Sequence, residues 1–455
     1  MDSVLAARWQ MTLSLVFHIV FAAIGIGLPL LLVLIERRWL VTGQEHYLRL
    51  AKKWAKATGI LFAVGAISGT ALSFELGLLF PGFMEVCGAV VGHLFGLEGF
   101  AFFVEAIFIG LYLYGWDKLS PRAHWWCGVC IAVSGAVSGL LILGVNAWMQ
   151  LPVGFTMQEG KIVVTDPLAI FGQYGWLTMA IHSTLACYMA VGFAVAGIYA
   201  FGWLRGRRDA YHRSAILTAM AVGGVAGLLQ PLSGDFLAKF VYRRDPVKFA
   251  AMEGQFVTQT HAPLRIGGLP DESRGVTRWA IEIPSMLSFL AAHRTDAKVW
   301  GLNDIAPEPH QRPPVALTHL SFQIMVGLGG ALALMSIWFW IAHARRREAG
   351  WSRPLLWAMV ILGAGGFVAL ETGWIVTEVG RQPWVVVGTE RLAALRAAGG
   401  TDPWAGAGYP GLLTRQTVTS ASGVQTVFYG FTVLYILLGV TVVWLLRYLA
   451  RGRAR

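Results

Sequence analysis

Long apolar runs separated by short polar stretches dominate the chain. Nine of them reach or approach the ~20 residues that an α-helix needs to cross a hydrocarbon core. They cover 12–36, 57–75, 87–115, 124–145, 173–203, 214–233, 317–343, 354–377 and 425–447. The run 57–75 is softened by Gly65, Ser68, Gly69 and Thr70, small residues of the kind that let helices approach closely in lipid. The first run is too long for a signal-peptide core, follows no basic n-region and lacks a small-residue cleavage site, so it reads as a span. The pattern predicts an all-α integral membrane protein with nine transmembrane helices. No internal repeat stands out.

The polar stretches orient these helices. Loops 37–56, 116–123, 204–213 and 344–353 and the tail from Arg447 carry twenty of the 36 lysines and arginines, among them Arg346, Arg347, Arg453 and Arg455. The short alternate stretches are nearly free of them: Arg8 before the first run, none in 76–86, and Lys161 alone in 146–172. Basic loops stay cytoplasmic, so the N-terminus is expected outside and the C-terminus in the cytoplasm. Two outer segments are long. Segment 234–316 carries ten basic and nine acidic residues, several prolines and no clear helical period. Segment 378–424 is rich in Gly and Pro. Long loops outside a helix bundle are usually functional or disordered. Three parts follow: helices one to six in 1–233, an outer loop in 234–316, and helices seven to nine in 317–455.

Composition agrees with a membrane protein. Apolar residues make up 56% of the 455 and charged residues only 13%, against about 25% in soluble domains. The net charge of +11 would suit nucleic acid, but its concentration in alternate loops points to a membrane surface, and no nucleic-acid partner is expected. Cys87, Cys127, Cys130 and Cys187 lie in or beside apolar runs. The single CxxC has no second pair with which to bind zinc and reads as packing.

Ionisable side chains inside spans are costly and point to function. Here they are His18, His93, Glu98, Glu105, His182, Glu371 and Glu378, with His319 at a border. At the rise of an α-helix, His18, Glu98, His182 and Met325 lie roughly 10–17 Å below the outer surface. Glu378 ends an inward-starting span at the same side. Five candidate ligands from five helices thus converge on the outer half of the bilayer. Glu105 shares the face of Glu98 but lies ~10 Å deeper. Histidines and a methionine at matched depth suit haem iron, because a His/Met pair gives an electron-transferring haem. Buried glutamates equally suit proton carriage. Composition and depth alone therefore fit a haem enzyme and a proton-coupled transporter equally well.

Local motifs separate the two. Arg8-Trp9-Gln10 with Phe17-His18, EGFAFFVE at 98–105 with GWDKL at 115–119, NAWMQLPVG at 146–154, SFQIMVGLG at 321–329 and ETGWIVTEVGRQPW at 371–384 occur in one order along nine spans. In this the chain resembles subunit I of the cytochrome bd-type quinol oxidases over essentially its whole length, GRQPW being the most specific motif. The resemblance implies an enzyme of the bacterial inner membrane that oxidises membrane quinol outside and reduces dioxygen to water with cytoplasmic protons. A proton gradient would build without pumping. It implies His182 and Met325 as axial ligands of a low-spin haem b. His18 and Glu378 would serve a high-spin haem b and a haem d, or a third haem b in a haem-b-only variant, without assigning which ligand serves which haem. Glu98 and Glu105 would carry protons, Trp374 would lie among the haems, and Arg381 near haem propionates. Segment 234–316 would be the quinol-binding loop. Within its KFAAMEGQ run, Glu253 would accept a quinol proton and Lys248 supply a cation. The expected partners are a second membrane subunit, subunit II, with room for a small accessory subunit.

One departure matters. Gln323 stands two residues before Met325, where many members carry Arg, a feature shared with the branch described as cyanide-insensitive. Losing that charge should lower the potential of the low-spin haem. Two rivals remain from the residues alone. A transporter built on Glu98, Glu105 and Glu371 would lack the expected repeat or broken-helix pair and leave Met325 and GRQPW without a role. A di-haem b quinone reductase would need two regularly spaced histidines on each of two helices, which the chain does not have.

Overall fold

The computed structural model describes residues 3–159, 161–345, 350–388, 391, 393, 396, 399 and 411–451. Arg346, Arg347, Arg453 and Arg455 of the basic loops lie outside the described residues. In chain order the elements are α1 (Ser3–Thr42), α2 (Glu45–Leu79), α3 (Pro81–Tyr114), α4 (Pro121–Gln150), β1 (Phe155–Gln158), β2 (Lys161–Val164), α5 (Tyr174–Leu204) and α6 (Ala210–Arg244). The long loop then holds α7 (Pro246–Glu253), β3 (Leu264–Ile266), β4 (Leu269–Asp271), β5 (Val276–Arg278), β6 (Ile281–Ile283), α8 (Met286–Ala292) and α9 (Leu302–Ile305). After it come α10 (Val315–Arg345), α11 (Arg353–Leu362), α12 (Gly365–Val379), β7 (Trp384–Val386), β8 (Leu412–Leu413) and a C-terminal helix, Val424–Arg451. Among the described residues nine spans are long and apolar enough to cross a membrane, one of them being α11 and α12 together.

The helices outrun the apolar runs. α2 starts at Glu45, so Arg49, Lys52, Lys53 and Lys56 lie on a helix that leaves the membrane rather than in a loop. α6 continues to Arg244, past the expected end at 233. Lys239 there pairs with Asp235 one turn earlier (2.5 Å), and neither belongs in hydrocarbon. The expected span 354–377 is broken at Gly363 and Ala364. Gly363 lies against Gly197, and Gly366 against Ala190, both on α5. Segment 234–316 shows no readable helical period because its three helices span only four to eight residues. Its strands form a nested pair, β3 with β6 and β4 with β5, both antiparallel.

α1 is the hub. It packs on α2, α4, α5, α6 and α12 and on the C-terminal helix. Gln10, Ser14 and His18 recur every four residues on it, so they share one face. Gln10 and Ser14 both donate to Glu75 Oε1 of α2 (2.7 and 2.8 Å). Toward its other end Glu36 is fully buried; it accepts from Tyr112 (2.6 Å) and pairs with His124 Nδ1 (2.7 Å). The tightest pair is α5 with α6, where Gly192 meets Gly223 backbone to backbone. Close approach at small residues substitutes for hydrophobic drive between helices in lipid. Gly192→Val would push a side chain into the Gly223 backbone. Overpacking of this kind costs about 1–3 kcal/mol or more. A lowered thermal midpoint of the solubilised protein is the expected result.

Candidate functional site

Two histidines are held by the same device. Ser233 donates its only proton to the Gln230 carbonyl (2.9 Å), so its Oγ can only accept from His182 Nδ1, 3.0 Å away. Ser68 donates to the Gly65 carbonyl (3.1 Å) and likewise accepts from His18 Nδ1 (3.0 Å). A neutral imidazole carries one proton. With that proton on Nδ1, each ring keeps a basic Nε2, the atom a metal takes. Gln230 Nε2 donates to the His182 carbonyl (3.2 Å) and lies beside the ring, 3.3 Å from Nδ1 and 3.2 Å from Nε2.

Helix backbones crowd these donors on one side. A Cβ on Gly69 would strike the His18 ring, and one on Gly234 would come within 3.3 Å of His182. On Gly373 it would lie 3.0 Å from Met325 Sδ. His182 on α5 and Met325 on α10 belong to helices that both pack on α6 and α12. Trp374 packs with Ile19 and Ala23 of α1 and with Ala186 and Cys187 of α5. It therefore joins the helices of His18 and His182.

Glu378 is more heavily engaged than its sequence position suggested. Asn146 Nδ2 donates to Oε1 (2.5 Å), and Arg381 pairs with Oε2. Arg381 is buried, and its Nε and Nη1 have no hydrogen-bond partner. Burial pushes its guanidinium downward, and Glu378 opposes that. Unpaired buried donors of this kind suit an anionic group such as a carboxylate. Two histidines with a basic Nε2, a soft methionine sulfur and a buried arginine with spare donors fit haem and its propionates.

The acids form a line. Glu98 Oε1 accepts from Ser138 of α4 (3.0 Å). Glu105 is buried, with Gly25 of α1 and Gly135 of α4 close by. Gly135, Ser138 and Asn146 share one side of α4, so a polar seam between α3 and α4 runs from Glu105 past Glu98 toward Glu378. Glu371 lies two turns from Glu378 along α12, with both carboxyl oxygens buried and unpartnered.

Lys248 and Glu253 sit at opposite ends of α7, both buried. They are not bonded to each other. Lys248 Nζ donates to Gln150 Oε1 (3.3 Å) and the Thr377 carbonyl (3.1 Å), tying α7 to the ends of α4 and α12. Burial lowers its ammonium to about 8, with Asp245 and Glu378 opposing and Arg381 and Arg391 reinforcing. Burial raises the Glu253 carboxyl to about 7, with Arg265 opposing. The cation acting on Glu253 is thus Arg265, rather than Lys248 as the sequence suggested. Glu253 Oε2 is buried without a partner. Arg391 pairs with Asp245 (3.1 Å) and donates to the carbonyls of Arg381 (2.7 Å) and Gly380 (2.9 Å), binding the GRQPW turn to the start of α7.

Sequence reasoning did not single out Ser68, Ser233, Gln230, Asn146, Gln150, Arg265 or Arg391. Asn146 and Gln150 did carry a signal, being the two amides one turn apart in NAWMQLPVG. The serines carried none, because a serine in a span reads as helix packing.

Known proteins similar to this chain share one family. The family model described as cytochrome bd terminal oxidase subunit I matches residues 6–454. A Bacillus subtilis (strain 168) protein provisionally named cytochrome bd menaquinol oxidase subunit I is 38% identical over 99% of this chain and 97% of its own. The same organism's cytochrome bd ubiquinol oxidase subunit 1 is 32% identical over 85% of each. The solved structure of bd oxidase from Geobacillus thermodenitrificans superposes with a TM-score of 0.87 at 33% identity, covering 99% of this chain and 98% of the other. With nine apolar spans, the chain belongs to the cytochrome bd terminal oxidase subunit I family, the haem-bearing quinol oxidases of the bacterial inner membrane.

Proposed function

We propose that this chain is the subunit in which membrane quinol is oxidised and dioxygen reduced to water. The observation that carries the reading is the paired serine device that leaves Nε2 of both His18 and His182 basic. His182 and Met325 would hold a low-spin haem b. His18 and Glu378 would hold the two high-spin haems, a haem b with a haem d or a further haem b. Bound haem would supply electron transfer and the reduction of dioxygen. Trp374 keeps the space between α1 and α5 filled, and the spare donors of Arg381 would receive a propionate.

The distribution of basic loops supports an outer N-terminus and a cytoplasmic C-terminus, and the 234–316 loop would then face outward. Quinol would bind there against Glu253, whose free Oε2 accepts a hydroxyl proton. Lys248 holds the other end of α7 in register with Thr377 and, one residue further on, Glu378. Protons for water would enter from the cytoplasm past Glu105 to Glu98 along the α3–α4 seam. Releasing protons outside and consuming them from inside would charge the membrane without a pump. The opposite face of α3, with Phe100, Phe103, Ile107 and Tyr114 exposed, offers an apolar surface for lipid or for subunit II.

A reduced-minus-oxidised visible spectrum of the purified complex is the direct test. A far-red chlorin band beside haem b bands is expected, and His182→Ala should remove the low-spin band while sparing the others. A folded protein without any haem would refute the reading. Glu105→Gln should slow oxygen consumption by about a hundredfold, the size of a general acid–base contribution, while the low-spin haem still reduces. Normal turnover would remove Glu105 from the proton route. The rate with quinol should follow a bell in pH. Glu253 works deprotonated, so activity rises as pH passes about 7; it falls as Lys248 loses its charge above about 8. Glu253→Gln should abolish the acid limb.

A further inference from the structure

α10 carries more than Met325. His319, one turn into the helix, is fully buried. Its Nδ1 lies 2.8 Å from the Met252 carbonyl and its Nε2 3.0 Å from the Gly267 carbonyl. Met252 immediately precedes Glu253, and Gly267 forms the β3–β4 turn. One helical turn on, Gln323 repeats the arrangement. Its Oε1 accepts from the Gly267 N–H (3.0 Å) and its Nε2 donates to the Arg265 carbonyl (3.0 Å). Residues four apart share a helix face. Met325 is six residues from His319 and two from Gln323, so it projects from another side.

The backbone on the far side of this contact takes unusual conformations. Gly254 (φ 60°), Gly267 (φ 68°) and Gly268 (φ 92°) are left-handed, a region glycine enters without penalty. At Gly254 an added Cβ would come within 3.3 Å of His319 Nδ1. The Gly254 carbonyl accepts from Thr277 (2.7 Å), and Arg265, besides acting on Glu253, donates to Gln255 (2.5 Å) and Glu282 (3.0 Å). The Glu253 end of α7, the Arg265 strand and the β3–β4 turn therefore converge on two side chains of one helix.

We propose that His319 and Gln323 are positioning residues of the quinol site, two rungs that hold the Glu253 turn and the Arg265 strand at a set height on the helix bearing Met325. Neither touches the substrate. They act by fixing where the proton acceptor and its cation stand, and a misplacement of about an ångström is enough to cost large factors in rate or binding. Lys248 does the same from the opposite end of α7. The inference rests on the quinol site proposed above.

The test uses the complete purified oxidase with a short-chain quinol. His319→Phe removes both ring contacts, His319→Gln keeps N–H donors, and Gln323→Leu removes the second rung. His319→Phe and Gln323→Leu should each raise KM by about tenfold with kcat held within about twofold, the signature of misplaced binding groups. His319→Gln should recover most of the loss. The low-spin haem band per protein should stay unchanged. An unaltered KM in variants that keep their haem would overturn the proposal, and so would a KM that rises only as haem is lost. Glu253→Gln in the same assay separates the two readings. If it changes quinol kinetics and the rung variants do not, the latch is wrong and the quinol site stands. If neither changes them, the quinol site is misplaced and the latch falls with it.

Discussion

A polar atom within the bilayer has no water to turn to, and the interior of this chain is arranged around that constraint. Leaving such an atom unpaired costs several kcal/mol in hydrocarbon. Hence each serine that steadies a histidine first commits its proton to a carbonyl of its own helix. This intrahelical bond costs no extra residue, and it decides the tautomer of the ring. The exceptions are informative. Arg381 keeps two nitrogens, Glu253 one oxygen and Glu371 both oxygens buried without partners. Unsatisfied groups are rare in native interiors and call for an explanation. Arg381 and Glu253 stand where an anionic group and a quinol hydroxyl are proposed.

The spans were legible because a twenty-residue apolar requirement is a coarse filter that length and composition satisfy on their own. Their ends were not. The helix of Gly234–Arg244 is held by an Asp235–Lys239 pair and capped by Asp245, and hydropathy sees only charge there. The break at Gly363 falls where α12 meets the α5 backbone, within a Gly363-Ala364-Gly365-Gly366 run that hydropathy counts as ordinary span. The loop 234–316 was recognisable as a separate segment, but its helices are shorter than two or three turns, below the length at which a period can be read.

The site was legible as a set of residue types at matched depth, and its wiring was not. His18, His182 and Glu378 stood out because ionisable groups in a span need a reason, Met325 because it lies at the same depth, and Trp374 only through the family resemblance. That Lys248 would bind Gln150 and the Thr377 carbonyl, leaving Arg265 to act on Glu253, could not be read from spacing. Lys248 and Glu253 are five residues apart, which on a helix places them on different sides. Their nearness in sequence suggested a pair, and helical geometry separates them.

That separation suits the chemistry better than a pair would. A lysine bonded to Glu253 would hold the carboxylate ionised but would also occupy the oxygen that must take a proton. Burial raises the carboxyl to about 7 against the opposing pull of Arg265 on a neighbouring strand, close to the range in which a base both takes and releases protons readily. Lys248 is then free to serve as a tether. α7 becomes a short rigid bar, anchored by Lys248 to the ends of α4 and α12 and bordered by the His319 contact at its other end. α12 and α4 bring Glu378 and Asn146, and α10 brings Met325. The bar is therefore referenced at both ends to helices that carry proposed haem ligands. A quinol docked on it would be placed relative to those ligands by a few hydrogen bonds.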